Sequence, residues 1–153
     1  LASKSIELGF NPKIILSGRD TNDNMSKYVA KRVIQLMKNK KIEIKGSRAL
    51  ILGITFKENC PDIRNTKVVD IIEELNKNKI ETKIYDPIAN PSDVLSEYGL
   101  EIENEIPDER FDVIVLSVAH KSFLNIDFES IKKINSVIFD VKSILEDIAD
   151  ESL

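Results

Sequence analysis

The stretch LILGITFKENCPDIRNT, from Leu50 to Thr66, decides the fold class of this 153-residue chain. Its start belongs to a continuous apolar run, RALILGITF, which is typical of a strand buried on both faces of a parallel sheet. Its middle has a proline, no helical period and two cations, Lys57 and Arg64. The residues that follow, NTKVVDIIEELNKNK, have the apolar spacing of a helix. We therefore expect a strand, a loop and a helix, with Asn65 or Thr66 capping that helix.

The rest of the chain after this unit repeats the alternation of strands and helices. Further strands are predicted in IETKIYDP, LEIENEIPDER, FDVIVLSVAH and SVIFDVK, and further helices in NPSDVLSEYG and NIDFESIKKIN. The first of these helices has Pro91 in its first turn and ends at Gly99. Strands that alternate with helices predict a doubly wound, Rossmann-like α/β fold with a mostly parallel sheet.

The first 41 residues have a helical pattern, and we expect the α/β domain to cover residues 42–153. Leu1–Leu8 is predicted to end a helix before Gly9, and NPK to form a turn. A long amphipathic helix from about Thr21 to Asn39, capped by Asp20 or Thr21, then leads into the domain. Its apolar residues are Met25, Tyr28, Val29, Val33, Leu36 and Met37.

The apolar stripe of this helix needs a partner, which is either the following domain or a second copy of the chain. We favour a second copy, and hence a homodimer through residues 21–39, because a two-fold interface brings its own complementary surface. The chain begins without Met and inside an apparent helix. We therefore also expect it to be part of a longer protein.

Composition excludes several classes of function. The net charge of −4 and the pI of about 5.2 argue against a broad nucleic-acid or anionic-membrane surface. No apolar run approaches the length of a membrane span. The single cysteine, Cys60, excludes an intrachain disulfide framework and fits a reducing cytoplasm. No cluster of His, Cys and Asp has the spacing of a metal site.

Two cations beside a helix start predict an anion site. In doubly wound sheets, ligands bind outside the carboxyl ends of the strands, near the topological switch point. Lys57 lies there, and Arg64 is expected immediately before the next helix, whose first N–H groups favour a phosphate or pyrophosphate. Lys142, after the last predicted strand, is a third cation at the same edge. Two alternatives stay open: Lys57 could pair with Glu58 or Asp62, and Arg64 could cap a neighbouring helix.

The other chemically capable residues give weaker signals. The loop has no GxGxxG or GxxxxGK[ST] motif, and Gly53 is its only glycine. Asp86 ends the second strand, as a strand stop or as a ribose-binding acid, and we favour the strand stop. Cys60 has no histidine near it in sequence, so we expect no catalytic role for it. His120 ends a strand on the ligand side, where we favour a packed or hydrogen-bonded histidine over a ligand contact.

Four motifs in order carry a family resemblance. The segments GITFKENCPDIRNTKVVDIIEEL, YDP, SVAHKSF and IFDVKSIL resemble, in order and spacing, the C-terminal domain of the UDP-glucose/GDP-mannose dehydrogenase family. The segment GRDTNDNMSKYV is similar to the start of the long helix that, in this family, links two nucleotide-binding domains and builds the dimer. This segment and the N-T-K-V form look closest to the branch that oxidises UDP-N-acetylhexosamines.

The resemblance implies an activity that this chain holds only in part. Such enzymes oxidise the C6 alcohol of a nucleotide sugar to a carboxylate in two steps, with two NAD. Their NAD-binding domain and nucleophilic cysteine belong to a segment absent here, so the chain alone is expected to be inactive and to contain no catalytic residue. By position, Phe56 and Lys57 would contact the UDP-sugar and Arg64 would reach NAD. Lys142 falls where some members place an arginine on the nucleotide sugar.

A second reading is a non-enzymatic doubly wound module, either a regulatory nucleotide-binding domain or a receiver-like domain. A receiver would need paired acids after the first strand. Here that strand ends at Gly53 with no acid pair, which argues against this alternative.

Overall fold

The computed structural model describes residues 13–153, with side chains described from residue 24 onward. The predicted helix over Leu1–Leu8 lies outside the described residues. The elements in chain order are helix α1 (Lys13–Asn39), strand β1 (Arg48–Leu52), helix α2 (Val68–Lys77), strand β2 (Glu81–Tyr85), helix α3 (Pro91–Tyr98), strand β3 (Phe111–Leu116), helix α4 (Phe128–Ile131), strand β4 (Lys132–Asp140) and strand β5 (Glu151–Ser152). Short 3₁₀ turns cover Lys121–Asn125 and Glu146–Ile148.

The five strands form one parallel sheet in the order β2-β1-β3-β4-β5. In register, Leu50 lies between Lys83 of β2 and Ile114 of β3. The sequence prediction of a doubly wound α/β fold is confirmed. Because β2 lies on one side of β1 and β3 on the other, the topological switch point falls between β1 and β3.

Several element bounds differ from the sequence predictions. Helix α1 begins at Lys13, not near Thr21, because residues 13–20 contain one glycine as the only strong opponent of a helix. Helix α2 has Lys67 as its N-cap residue. The predicted cap Asn65 instead adopts a left-handed conformation with φ of 59°. Thr66 still contributes, because its hydroxyl accepts a hydrogen bond from the backbone N–H of Val68 at 3.3 Å.

The C-terminal half contains further differences. The segment LEIENEIPDER gives a single bridge, between Tyr85 and Glu103, and not a strand. Helix α4 is one turn long, and β4 begins directly after it, so part of the predicted helix is strand. The two-residue strand β5 was missed, because such a short polar segment becomes a strand only by pairing with β4. The start of α3 at Pro91 and its end at Gly99 are confirmed.

Helix α1 packs against its own domain. Val29, Val33 and Met37 are fully buried in one core with residues of α2 and the sheet, and Leu36 packs against the same cluster. The expectation that the whole stripe needs a second copy is therefore wrong for these residues. Met25 and Tyr28 remain 38% and 49% exposed.

Two ion pairs fasten α1 to the C-terminal edge of the sheet. The guanidinium of Arg32 donates to both carboxylate oxygens of Glu151, at 2.7 and 2.5 Å. The ammonium of Lys40 donates to Asp150 at 2.5 Å and to the carbonyl of Ser136 at 2.7 Å. In the described part of the chain, none of the helices is both long and apolar enough to cross a membrane.

Candidate functional site

The loop after β1 is held by the carboxylate of Asp86, which ends β2. Asp86 is fully buried and accepts hydrogen bonds from the backbone N–H groups of Ile54 at 2.7 Å and Thr55 at 3.3 Å. Its other oxygen accepts from the N–H groups of Ile88 and Ala89, at 2.8 and 2.9 Å. The side chain therefore closes its own turn and ties that turn to the β1 loop. This arrangement supports the strand-stop interpretation and leaves the carboxylate buried away from any ribose.

The charge state of Asp86 follows from these contacts. Burial raises the pKa of Asp86, but the hydrogen bonds from His120 and from three backbone N–H groups outweigh burial and lower its pKa to about 2. Asp86 is therefore a buried carboxylate that stays ionised, and its hydrogen-bond donors come from the three segments that follow β1, β2 and β3.

His120 belongs to the same buried network and does not line a cleft. Its Nδ1 accepts a hydrogen bond from the backbone N–H of Asn59 at 2.9 Å. Its Nε2 lies 3.2 Å from an oxygen of Asp86 and 3.1 Å from the hydroxyl of Thr55. The ring edge packs on Phe123 with 5.1 Å between centroids. The favoured interpretation, a hydrogen-bonded histidine, is confirmed.

A cleft of about 350 Å³ opens at the carboxyl edge of β1, β3 and β4. Phe56 and Lys57, from the loop after β1, line it together with Lys142, from the turn after β4. Phe56 is 60% exposed although it is aromatic. The walls also include the start of α2, α1 and the end of β3, through Thr66, Lys67, Val68, Met25, Ser26, Val29, Ser117 and Val118. The cleft thus lies at the topological switch point.

Lys142 lies in a turn that a second buried carboxylate holds through hydrogen bonds. Asp140, the last residue of β4, accepts hydrogen bonds from the N–H groups of Lys142, Ile144 and Leu145, at 2.8, 2.6 and 2.7 Å. Asp140 is fully buried, so this turn is firmly attached to the end of the strand. Within residues 24–153, neither Lys57 nor Lys142 forms an ion pair. Neither ammonium group therefore has a carboxylate within ion-pairing distance in the described part of the chain, although Glu58 also lines the cleft.

Arg64 lies on a different cleft. Its guanidinium binds both oxygens of Asp62, at 2.9 and 2.8 Å, and its side chain is 79% exposed. The hydrogen bond from Arg64 lowers the pKa of Asp62 to about 2. The alternative in which Lys57 pairs with Glu58 or Asp62 is wrong, because Asp62 forms its ion pair with Arg64 and interacts with Lys57 only at longer range, and Lys57 forms no ion pair with Glu58 among the described residues. Arg64 also lies four residues before α2, not immediately before it.

Cys60 lies beside Arg64 in this second cleft, which Pro61, Asp62, Ile63, Asp93, Ser96 and Glu97 also line. The thiol is partly exposed. His120 is the histidine that could act as a base for Cys60, but both of its ring nitrogens are used in the buried network. Among the described residues, no group of three or more His, Cys, Asp or Glu side chains could hold a metal ion.

Helix α1 contributes a wall that the sequence interpretation missed. Ser26 is buried, and its hydroxyl donates to the carbonyl of Lys67, the N-cap residue of α2, at 3.2 Å. This bond joins the long helix to the rim of the cleft. The sequence signal for this contact was a small polar residue, Ser26, on the buried face of the helix and three positions before Val29. The buried hydroxyl of Ser117 has no hydrogen-bond partner within the described residues, so the wall at the end of β3 keeps an unsatisfied polar group.

A cationic cleft at the switch point of an all-parallel sheet defines this chain as an α/β domain of the nucleotide-binding class. Residues 50–147 match the family model for the UDP binding domain of the UDP-glucose/GDP-mannose dehydrogenase family, and the chain belongs to that family. The resemblance seen in the four sequence motifs is thereby confirmed.

Known relatives are consistent with this family. The chain is 40% identical over 150 residues to the UDP-N-acetyl-D-glucosamine 6-dehydrogenase of Pseudomonas aeruginosa, a match that covers 96% of this chain and 36% of that protein. It is 35% identical over 141 residues to the UDP-N-acetyl-D-mannosamine dehydrogenase of Methanococcus aeolicus, covering 88% and 30%. The chain spans about a third of the length of these curated relatives.

A solved structure shows the same fold. The UDP-N-acetyl-mannosamine dehydrogenase Cap5O from Staphylococcus aureus superposes with a TM-score of 0.72 at 27% identity. The match covers 94% of this chain and 33% of that chain. The match includes most of the chain and therefore extends beyond residues 50–147.

Proposed function

We propose that this chain is the UDP-sugar-binding part of an NAD-dependent UDP-N-acetylhexosamine 6-dehydrogenase. The observation that carries the proposal is the switch-point cleft, which Phe56, Lys57 and Lys142 line together and where neither lysine has a counter-charge within ion-pairing distance among the described residues. A diphosphate supplies that charge. In this proposal, the C6 alcohol of the sugar is oxidised to a carboxylate by the rest of the protein, which also provides the nucleophilic cysteine.

Each cleft residue has a part in this proposal. The ammonium groups of Lys57 and Lys142 bind the diphosphate, and the first N–H groups of α2 add a partial positive charge on the same side. The exposed ring of Phe56 offers an apolar surface to the nucleotide. A lysine makes point-charge contacts, whereas an arginine would bind the phosphate in a bidentate manner, so Lys142 binds with less geometric selectivity.

NAD belongs to the other cleft in this proposal. Arg64 is highly exposed and lines a different cleft from Lys57, and its guanidinium is paired with Asp62. The proposed cofactor is bound mainly by a domain outside this chain, with Arg64 reaching it. The chain by itself would then not reduce NAD, and Cys60 would have no part in the chemistry.

The proposal also includes a homodimer and a cytoplasmic location. The exposed Tyr28 is the part of α1 outside the nucleotide cleft that a second copy would cover. The net charge of −4 supports a protein that binds nucleotides in one cleft and neither nucleic acids nor membranes.

The receiver-like alternative has little support. The strand order of the sheet is shared with receiver domains and does not separate the two. The residues after β1 are Gly53, Ile54 and Thr55, which provide no acid pair at the carboxyl edge.

Calorimetry with UDP on the 153-residue chain tests the proposal. Charge-assisted contacts contribute about 1.5–3 kcal/mol, so Lys57→Ala should weaken UDP binding roughly tenfold or more. Lys38→Ala, which removes an exposed lysine in the last turn of α1, is the matched control and should bind UDP like the wild type. No UDP binding by the wild-type chain, or equal weakening in both variants, would reject the cleft as the nucleotide site.

A further inference from the structure

A chain of buried hydrogen bonds leads from Asp86 to the loop that carries Lys57. The Nε2 of His120 lies between an oxygen of Asp86 and the hydroxyl of Thr55. That hydroxyl in turn donates to the backbone carbonyl of Lys57 at 3.0 Å. From the other ring nitrogen, the network reaches the backbone N–H of Asn59. The imidazole therefore contacts the loop on both sides of Lys57.

The donors in this network fix the tautomer of His120. A backbone N–H only donates, so Nδ1 accepts the bond from Asn59 and carries no proton. The proton of the neutral ring is then on Nε2, shared between Asp86 and Thr55. The hydroxyl oxygen of Thr55 can accept this hydrogen bond, because the hydroxyl hydrogen is donated to the backbone carbonyl of Lys57. Every polar atom of His120 and Thr55 in this network is thereby satisfied.

Close to Lys57, between Phe56 and Asn59, two hydrogen bonds within the described chain hold the loop besides those to His120 and Thr55. The N–H of Phe56 donates to the carbonyl of Asp62 at 2.7 Å. The side-chain oxygen of Asn59 accepts from the N–H of Lys121 at 3.1 Å, and Asn59 has a left-handed backbone with φ of 54°. The ammonium of Lys57 itself has no ion pair within residues 24–153. Its position in the cleft therefore depends on the backbone that His120 holds.

We propose that His120 is a positioning residue for Lys57, and that through Asn59 and Thr55 it sets where the Lys57 ammonium meets the diphosphate. This inference rests on the proposed function of the cleft. His120 itself does not touch the nucleotide, because it is fully buried behind the loop. A purely structural role would stabilise the fold without making the contribution of Lys57 to binding depend on the imidazole.

A double-mutant cycle on UDP binding separates the two roles. His120→Gln keeps an N–H donor near the Nε2 position for Asp86 but offers no acceptor to Asn59. We expect it to weaken UDP binding roughly threefold to tenfold, and to have almost no further effect when Lys57 is already alanine. Equal losses with and without Lys57, or no loss, would overturn the proposal. His120→Asn, whose side-chain oxygen can take the Nδ1 position, keeps the bond from Asn59 but loses the contact with Thr55, so it should recover only part of the affinity.

Two further measurements keep the test decisive. Thr55→Val has a similar shape and removes the hydroxyl that links His120 to the carbonyl of Lys57. Because Thr55 also lines the cleft, its coupling with Lys57→Ala, and not its single effect, gives the independent cycle if His120→Gln does not fold. Two-bond ¹⁵N correlation spectra of the wild-type imidazole should show the neutral tautomer with its proton on Nε2. A proton on Nδ1 would overturn the proposal without any ligand. Wild-type binding that is lost in Lys57→Ala but unchanged in both other variants would reject this inference alone, whereas a wild-type chain that ignores UDP would reject the proposed function.

Discussion

Gly53 and Val118 leave no space between them for a side chain: a Cβ atom added to Gly53 would lie 2.6 Å from the Cβ of Val118. Gly53 directly follows β1 and Val118 lies two residues after β3, so this close approach lies at the switch point itself. It lets the β1 loop and the β3 loop form neighbouring walls of one cleft. Glycine is needed here both for the contact and for its φ of 89°.

Gly53→Ala should therefore destabilise the domain. Overpacking of a closed contact costs about 1–3 kcal/mol, and the left-handed backbone adds about 1 kcal/mol. Gly46→Ala is the matched control, because Gly46 has a φ of 79° but no atom within 4 Å of an added Cβ. Urea unfolding of both variants measures the difference. Equal destabilisation of the two variants would mean that Val118 moves away from the added methyl group with little loss of folding free energy.

The lowered pKa of Asp86 predicts a dependence of stability on pH. The folded chain keeps Asp86 ionised to about pH 2, whereas an unfolded aspartate binds its proton near 3.8. Protonation therefore favours the unfolded state in this window, and the contribution is complete above pH 4 and lost as the pH falls through 2. Its size is on the order of 2 kcal/mol. Asp86→Asn should be less stable at pH 7 and should show a flatter loss between pH 4 and 2 in unfolding experiments.

Asp62 provides the comparison for that experiment. Its pKa is also lowered to about 2, with the hydrogen bond from Arg64 as the main cause, but the pair is at the surface. Exposed pairs contribute little to folding. Asp62→Asn should therefore change the pH profile much less than Asp86→Asn, and a similar change in both would remove the special role of the buried carboxylate.

Under the proposed function, Lys57 and Arg64 should have separable effects in the complete UDP-sugar dehydrogenase. They line different clefts, and only Arg64 has a carboxylate partner among the described residues. Arg64→Ala should raise the Michaelis constant for NAD by roughly tenfold while changing that for the UDP-sugar much less. Steady-state kinetics with each substrate varied in turn measure this. The opposite pattern would show that the two residues have been assigned to the wrong ligands.

Tyr28 tests the proposed dimer. It is 49% exposed on α1, whereas Val33 on the same helix is fully buried in the core of its own chain. Tyr28→Glu should shift a dimer toward the monomer in mass measurements across a dilution series, with the folded content unchanged. Val33→Glu should instead unfold the chain, since it would bury an unpaired charge. A wild-type chain that is monomeric at micromolar concentration would reject dimerisation of this chain through α1.

The strands of the sheet interior were predictable because their signal is local. Strands β1 and β3 are runs of apolar residues, and their carboxyl ends must meet at one edge of a parallel sheet. That argument alone located Lys57, and Lys142 joined it in the cleft after β4. Strand β5 had no such signal, because its two residues become a strand only through their partner β4.

Non-local contacts explain what the sequence did not predict. One local choice was also missed: Arg64 binds Asp62, one of several nearby acids, and lines a different cleft from Lys57. His120 and Asp86 are 34 residues apart, and their joint hold on the β1 loop depends on the sheet order. The docking of α1 likewise depends on Glu151, far along the chain. Amphipathic spacing predicted that the helix needed a partner but not which surface would cover it.

The ion pair between Arg32 and Glu151 also has a consequence for synthesis on the ribosome. The two residues are 119 positions apart, and chains grow at about 5–20 residues per second, so the partner of Arg32 is added roughly 6–24 s later. Lys40 is likewise synthesised long before its partner Asp150. The apolar face of α1 is therefore synthesised well before the residues that form these ion pairs. A nascent chain stalled before residue 150 would lack Asp150 and Glu151, so neither ion pair could hold α1 against the sheet.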